Sequence, residues 1–320
     1  MKIYFAGTQL QPLPLGHRFP MSKYELLKAR LIKEMGYIHL EESQAATEGE
    51  LALVHHPRYI EQVVSGTLPE AMQKAIGFPW SIGMVERAKC STGATIQAAR
   101  EALLTGVSAN LAGGTHHAYA DKGGGFCVFN DVAVAARLLQ AEHHRRHTEP
   151  FHVAIIDLDV HQGNGSASIF QNDPSVFTLS LHGAKNFPFE KELGDLDVEL
   201  PDGTEDAVYL SHLAQALDVL EHRFKPNFVF YLAGADPYEG DRLGRLSLSM
   251  DGLRSRDFEV FRWARERELP LAFVMAGGYG REMNETAQIQ MNTFQEGYAS
   301  WSLWQSRAER QSRVQESRFR

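Results

Sequence analysis

The sequence has little cysteine and no excess of basic residues. Two of its 320 residues are cysteines, Cys90 and Cys127, and the formal net charge is −8. Two cysteines are too few for a disulfide framework, so a reducing compartment is expected. An acidic chain disfavours nucleic acid as a partner, because a phosphate backbone selects a basic surface. The same charge suits a cationic substrate such as a lysine-rich tail.

Long apolar runs are also lacking. No stretch has the roughly 20 apolar residues of a membrane span, and the N-terminus from Met1 to Phe5 has no apolar signal core. We therefore expect no membrane partner, and a cytoplasmic location or, in a eukaryote, a nuclear one. No repeat or Pro/Ser-rich linker divides the chain, which predicts a single domain over residues 1–320. From about residue 305 the sequence is charged and rich in Ser and Arg, so the final helix either extends or frays there.

Apolar runs of strand length alternate with segments of helical periodicity. The apolar runs are residues 151–158, 228–233 and 271–276, and a fourth run of strand length, residues 108–112, also contains Ser108 and Asn110. Helices are predicted over residues 22–36, 84–104, 131–144, 205–223, 251–268 and 283–306. The Ser22-to-Glu25 spacing indicates a capping box for the first helix, and Asn130 or Asp131 caps the third. Continuous apolar strands are typical of a parallel sheet that is buried on both faces, so the predicted class is α/β.

The run at 151–158 ends in Asp157-Leu158-Asp159-Val160-His161. In open α/β sheets, ligand sites form beyond the carboxyl ends of the strands. Side chains alternate along an extended chain, so Asp157, Asp159 and His161 share one side. Carboxylate and imidazole groups at this spacing can ligate a divalent metal. Taken alone, a helix-capping aspartate beside an incidental histidine explains the pattern equally well.

Three other strand ends also carry reactive side chains. Asp236 follows the run at 228–233, where a carboxylate needs a partner, a metal or solvent. Tyr279 follows two glycines after the run at 271–276 and either presents its hydroxyl to a ligand or, as is commoner, packs. His116 and His117 lie together in a glycine turn after the run at 108–112, an arrangement that is rare for structural histidines.

Two neighbouring features carry no chemistry in this interpretation. The triple glycine at 123–125 matches neither nucleotide-loop pattern, and Cys127 is expected to be a small buried residue because nothing obvious lowers its pKa. The basic cluster at 143–147 is interpreted as a solvated helix end rather than a metal site. The four strand ends together supply two carboxylates and an imidazole for a metal, two histidines for proton transfer and a tyrosine donor. This set suits metal-assisted amide hydrolysis.

In this order, the motifs resemble the arginase–deacetylase fold and, within it, the histone deacetylase family. The matching segments are Gly114–His117, Gly125–Asp131, Asp157–Gly165, Gly234–Asp236 and Gly277–Tyr279. Residues 16–24, 161–165 and 239–244 are similar to class IV deacetylases and their bacterial relatives. The resemblance implies a central, mostly parallel sheet of about eight strands with helices on both faces. It also implies an enzyme that removes acetyl or longer acyl groups from lysine side chains.

The resemblance further implies a role for individual residues. The metal ligands would be Asp159, His161 and Asp236, a donor set that accepts Zn²⁺ or Fe²⁺. The catalytic residues would be His116, His117, Tyr279, Asp157 as the partner of His116, and Asn164 as the partner of His117. The substrate would contact Gly125, Phe126, Phe187 and, at the rim, Leu243. A structural K⁺ would use Asp157, Asp159, His161, Ser180 and Leu181, and a second K⁺ would use Phe170, Asp173 and Val176.

The sequence departs from the family pattern at one loop. Many members hold the peptide backbone with an acidic residue before the third helix, whereas residues 77–81 have no carboxylate. The substrate is therefore open between an acyl-lysine protein or peptide and an acylated polyamine or other small amide. An arginase-like hydrolase with two manganese ions would need more carboxylates and histidines. A catalytically inactive acyl-lysine-binding protein would usually lack a ligand or the tyrosine, and both are present here.

Overall fold

The protein folds around one parallel sheet. The computed structural model describes residues 1–7, 13–14 and 16–318, with side chains up to residue 310. Its strands are β1 (Lys2–Phe5), β2 (His39–Glu42), β3 (Val107–Asn110), β4 (Val153–Asp157), β5 (Val176–Gly183), β6 (Leu196–Leu200), β7 (Phe228–Leu232) and β8 (Leu271–Val274). Their order is β2-β1-β3-β8-β7-β4-β5-β6, and every neighbouring pair is parallel. The α/β class is confirmed, and the sheet is parallel throughout.

Helices connect the strands and cover both faces of the sheet. They are α1 (Ser22–Glu34), α2 (Glu48–Leu51), α3 (Pro57–Ser65), α4 (Glu70–Ile76), α5 (Ile82–Thr105), α6 (Asp131–His144), α7 (Asn164–Phe170), α8 (Asp206–Arg223), α9 (Met250–Glu266) and α10 (Met283–Arg318). Within the described chain, none of these helices combines the length and apolarity needed to cross a membrane.

The alternation of side chains along β4 shows how the core forms. Ala154 and Ile156 belong to one buried cluster with residues of α8 and α9, whereas Val153 and Ile155 belong to another with residues of α5 and α6. Successive strand residues point to opposite faces, so a strand between two helix layers must be apolar at every position. All residues of β3, β4, β7 and β8 are buried. Nearly continuous apolar runs predicted this for β4, β7 and β8, whereas β3 includes the buried polar side chains of Ser108 and Asn110.

The helix ends agree with the sequence at α6 and α10 but not at α1. The Asn130 side chain caps α6 by accepting a hydrogen bond from the Ala133 amide. The charged residues beyond 305 extend α10 to Arg318, one of the two expected outcomes. The capping box at α1 is wrong: Ser22 is already helical, and the capping residue Met21 makes no side-chain hydrogen bond. A serine inside the first turn is past the capping position from which its hydroxyl would accept an amide hydrogen.

The strand order brings four loops together at one edge of the sheet. Strands β3, β8, β7 and β4 are consecutive neighbours. Their carboxyl ends lead into the segments that carry the tandem histidines, Tyr279, Asp236 and the Asp159–His161 pair. Residues that are far apart in sequence therefore meet at a single site.

A buried ion pair on α9 stabilises two of the loops at this edge of the sheet. Arg256 and Asp257 on α9 are fully buried, and the Arg256 guanidinium donates twice to Asp257 Oδ1, at 2.9 and 2.8 Å. Arg256 Nη1 also donates to the carbonyl oxygens of Leu158, at 3.2 Å, and Gly234, at 2.6 Å. One guanidinium thus ties the loop after β4 to the loop after β7.

We predict that Arg256→Met lowers the free energy of unfolding by about 3–5 kcal/mol, because it leaves a buried carboxylate without its cation. Arg254→Met is the matched control. Arg254 lies two residues away on the same helix, is half-exposed and pairs with Glu296, so its loss should cost less than about 1 kcal/mol. Urea unfolding of both variants measures the difference, and equal losses would contradict the assigned role of Arg256.

Candidate metal and catalytic site

Three buried side chains converge at the carboxyl edge of the sheet. Asp159 and His161 follow β4, and Asp236 follows β7. One ligand atom from each lies within 4.8 Å of the others. His161 Nδ1 is 2.9 Å from Asp159 Oδ1 and 3.2 Å from Asp236 Oδ2. Among the described residues no second group of this kind is found, which gives the arginase-like hypothesis no second metal site.

Backbone amides hold the oxygens that do not face the centre of this group. Asp159 Oδ2 accepts a hydrogen bond from the Gly277 amide at 2.7 Å, and Asp236 Oδ1 accepts one from the Val160 amide at 3.0 Å. The two carboxylates are therefore oriented by neighbouring strands. Glycine is needed at position 277, because a Cβ there would lie 1.9 Å from Asp236 Oδ2.

The charges of this cluster suit a bound cation. Burial raises the pKa of Asp236 to about 7, with the Asp159 charge adding to the effect. Burial lowers the pKa of His161, but the two carboxylates outweigh it and bring the value to about 10. Asp236 Oδ2 is buried and accepts no hydrogen bond in the described part of the chain, although His161 Nδ1 is near. Two carboxylates and one imidazole fit Zn²⁺ or Fe²⁺, which would satisfy this oxygen.

The tandem histidines have different partners. His116 Nδ1 donates to Asp157 Oδ2 at 2.6 Å, and His117 Nδ1 donates to Asn164 Oδ1 at 2.6 Å. Their ring centroids are 4.1 Å apart. The structure thus brings together all four residues of the two predicted pairs.

Their different surroundings shift the pKa values of the two histidines in opposite directions. Burial lowers the pKa of His116, but Asp157 and Asp159 more than reverse this and raise it to about 9. Burial and then the charge of His116 hold the pKa of His117 well below its ordinary value. These opposite shifts favour a neutral His117 beside a positively charged His116. Two adjacent groups whose pKa values are driven apart are typical of acid–base sites.

Asp131 shapes the glycine turn that presents the histidines. Its buried carboxylate accepts hydrogen bonds from the amides of Gly114, at 3.0 Å, and Thr115, at 2.8 Å, and from the hydroxyl of Thr95, at 2.5 Å. Gly113 adopts a φ of +77°, which favours glycine. From the sequence, Asp131 was only a residue at the start of α6. Its position at the end of a matching motif was the available signal.

Tyr279 lies between the metal cluster and an aromatic group. Its ring centroid is 6.0 Å from that of Phe126 and 6.5 Å from that of His161. Burial first, and then the carboxylates of Asp159 and Asp236, raise the pKa of Tyr279 well above its ordinary value. The hydroxyl therefore keeps its proton and remains a hydrogen-bond donor.

The backbone of Tyr279 is fixed by residues that the sequence did not single out. Its amide donates to Asp241 Oδ2 at 2.6 Å, and its carbonyl accepts from Arg242 Nε at 2.8 Å. The fully buried Lys23 donates to the carbonyl oxygens of Ala276 and Gly278, both at 3.3 Å. These side chains lie far from Tyr279 in sequence, so only the fold shows their contact with this loop.

The predicted substrate-binding residues line one opening above the histidines. Gly125, Phe126, Phe187 and Leu243 contribute to its walls, and His117, His161 and Tyr279 lie at its base. The Phe187 ring is 40% exposed and its centroid lies 4.9 Å from that of His117. The opening therefore leads past the rings of Phe126 and Phe187 to the cluster.

The other residues noted in the sequence lie away from this opening or remain untested. Burial raises the pKa of the Cys127 thiol, which suits a packing role. The rings of His143 and His147 stack, with their centroids 4.4 Å apart, at the end of α6. Asp157 pairs with Ser180 across β4 and β5, so the residues of the first K⁺ set share a corner of the sheet. The second K⁺ set lies in and beside the turn between α7 and β5. Both K⁺ sites stay predictions.

Comparison with known proteins decides the family. Residues 17–294 match the family model for the histone deacetylase domain. The chain belongs to the histone deacetylase family. It is 43% identical over 286 residues to an uncharacterized protein of Picosynechococcus sp., covering 88% of this chain and 93% of that protein. It is 32% identical over 307 residues to histone deacetylase 2 of Arabidopsis thaliana, covering 92% and 76%.

A solved structure of the family has the same fold. The crystal structure of an HDAC homolog complexed with SAHA aligns with a TM-score of 0.77 and 28% identity, covering 93% of this chain and 84% of that chain. The arginase–deacetylase type of fold is thereby confirmed. The similarity to class IV members stays a prediction.

We predict that Asp236→Asn reduces bound metal from about one ion per chain to a small fraction of that, because it replaces a charged ligand oxygen. Elemental analysis of the purified, metal-loaded protein measures the change. Asp202→Asn removes a carboxylate from the surface and should leave the metal content unaltered. Full metal occupancy in Asp236→Asn would show that the ligand assignment is wrong.

Proposed function

We propose that this chain is a metal-dependent amide hydrolase that removes acyl groups from lysine side chains of proteins or peptides. One observation carries the proposal: the Asp159–His161–Asp236 cluster faces a neutral His117 and a protonated Tyr279 at the base of an aromatic-walled opening. Membership of the deacetylase family supports the same reaction class. The cytoplasm is the location we propose.

The chain's own residues divide the chemistry between them. A divalent metal, Zn²⁺ or Fe²⁺, would polarise the amide carbonyl and lower the pKa of a water molecule. His117 Nε2 accepts the proton of the attacking water, and later returns it to the leaving amine. The Tyr279 hydroxyl donates a hydrogen bond to the oxyanion that forms on the former carbonyl oxygen. His116, held by Asp157, favours a positive charge beside the ring of His117.

The charges around the opening favour an acyl-lysine over an acylated polyamine. Four basic side chains line the opening, and no carboxylate is among the described residues that do: the four are Arg18, Lys185, Arg242 and Arg245. Asp202 pairs with Arg245 at 3.1 Å and with Lys185 at 3.8 Å, which offsets only part of this charge. A polyamine ammonium would have no anionic partner here and would be repelled. The local charge is thus opposite to the net charge from which a cationic substrate was inferred.

Two alternatives are weaker on this evidence. Acetylpolyamine hydrolysis uses the same chemistry but would need a carboxylate for the substrate's ammonium groups. A non-catalytic acyl-lysine-binding protein needs neither the metal ligands nor the tyrosine, and here these groups are all present and converge. Acyl-lysine hydrolysis accounts for both the convergence of the site residues and the basic side chains around the opening.

We predict that Tyr279→Phe lowers kcat about a hundred-fold while bound metal stays constant, because one oxyanion donor is lost. Steady-state kinetics on an acetyl-lysine peptide, with metal analysis of the same sample, measures both. Tyr298→Phe, which removes a hydroxyl from α10, serves as the control and should leave kcat unchanged. If the Tyr279→Phe rate matched the native rate, Tyr279 would have no part in the reaction.

We predict an order of kcat/KM that follows the charge next to the acylated amine. Acetyl-lysine peptides with flanking glutamates should exceed those with flanking lysines by about tenfold, and N-acetylputrescine and N-acetylspermidine should be slower still. Acetyl, octanoyl and myristoyl forms of one peptide measure the preferred chain length in the same assay. The double variant Lys185→Gln/Arg245→Gln should reduce the difference in kcat/KM between the two sets of peptides. If the polyamines were hydrolysed faster than the peptides, small amides would be the substrates instead.

A further inference from the structure

A chain of hydrogen bonds continues beyond the partner of the catalytic base. Asn164 Oδ1 accepts from His117 Nδ1 at 2.6 Å, and Asn164 Nδ2 donates to the Tyr119 hydroxyl at 2.9 Å. The Tyr119 hydroxyl donates to Glu192 Oε1 at 3.0 Å. The base is thus connected through two side chains to a carboxylate from the loop before β6.

The chemistry of each group allows this chain only one direction. A carboxylate accepts hydrogen bonds and has none to donate, so the single hydrogen of Tyr119 goes to Glu192. The Tyr119 oxygen is then left as an acceptor, and the Asn164 NH₂ group must face it. The amide oxygen consequently faces His117 and requires a hydrogen on Nδ1. Nε2, the atom that must accept a proton, is therefore left bare.

An asparagine needs such a constraint, whereas an aspartate does not. The two ends of an amide have opposite hydrogen-bonding character, and a rotated Asn164 would present NH₂ to His117 Nδ1. The neutral ring would then carry its hydrogen on Nε2 and could not act as a base. Both oxygens of an aspartate accept, so rotation of its carboxylate would leave the tautomer unaltered.

The two outer members of the chain are themselves held firmly. Gln162, next to His161, donates to the Glu192 carbonyl at 2.7 Å and accepts from the Glu192 amide at 2.9 Å. The Tyr119 carbonyl accepts from His55 Nδ1 at 3.0 Å, and Lys122 Nζ lies 4.3 Å from the Tyr119 ring centroid. Burial, with the Glu192 carboxylate, raises the pKa of Tyr119 to about 12, so its hydroxyl remains a donor.

We propose that Tyr119 and Glu192 are positioning residues that orient the Asn164 amide and thereby set the tautomer of His117. This inference rests on the proposed function, in which His117 is the base. It assigns a role to two residues that touch neither the metal cluster nor the substrate-binding residues named above.

The direct test is the protonation of the His117 ring nitrogens in ¹⁵N-histidine-labelled, zinc-loaded protein. We expect a hydrogen on Nδ1 and a bare Nε2 in the native chain, and a mixed or reversed tautomer in Tyr119→Phe. The same variant should lose roughly ten- to a hundred-fold in kcat, with KM and metal content little changed, because a ring in the wrong tautomer cannot accept the proton. Glu192→Gln should act in the same direction to a smaller extent.

Two variants control for loss of a hydroxyl or of a charge. Tyr59→Phe removes a buried hydroxyl that donates to the Val128 carbonyl, and Glu190→Gln removes an exposed carboxylate two residues from Glu192. Both should keep the native tautomer. In an Asn164→Asp background, Tyr119→Phe should no longer change the tautomer, since an aspartate only accepts.

The outcomes separate this proposal from the proposed function. A native tautomer in Tyr119→Phe overturns the positioning role, whether or not that variant is less stable or less active. If the native protein hydrolyses no acyl-lysine substrate, the proposed function fails. The ¹⁵N chemical shifts of the His117 ring would still decide whether Tyr119 and Glu192 orient Asn164.

Discussion

The mutual repulsion of two buried carboxylates is the constraint on which the site depends. Asp159 and Asp236 are almost without solvent contact, and each presents an oxygen to the same imidazole nitrogen. Such an arrangement is costly in a low-dielectric interior unless a cation joins it. The fold supports it with amide donors from β-strand ends and with the guanidinium of Arg256 under both loops. This placement of charges is the physical reason for proposing a metal ion at the cluster.

The same charges determine what the neighbouring groups can do. Burial, and after it the charge of His116, lowers the pKa of His117, while burial, and after it the carboxylates of the cluster, raises the pKa of Tyr279. A neutral base and a protonated donor are therefore both available beside the metal cluster. The side chains that line the opening are basic, whereas the whole chain has a net charge of −8. The charge that attracts a substrate from a distance is therefore opposite to the charge that the substrate meets at the opening.

The sequence predicted the buried central strands of the sheet better than its edge strands. Strands β4, β7 and β8 lie in nearly continuous apolar runs, because helices cover both of their faces. The outermost strand β2, with the sequence His39-Leu40-Glu41-Glu42, was not foreseen since one edge and much of its surface meet solvent. The residues that converge at the site could be named from the sequence because each lies at a strand end and carries a metal-binding or proton-transferring group. Asp131, Asp241 and Lys23 also lie in matching segments, but their roles were not predicted, since their contacts with the site loops exist only after the chain folds.

The central claim is that the Asp159–His161–Asp236 cluster holds a metal that acyl-lysine hydrolysis requires. The most direct measurement is a chelation and reconstitution titration, in which hydrolysis of an acetyl-lysine peptide is followed as Zn²⁺ or Fe²⁺ is returned to the metal-free protein. Activity should be absent without metal and rise linearly to a plateau at about one ion per chain. Hydrolysis by the fully metal-free protein, or none after stoichiometric reloading, would contradict the account.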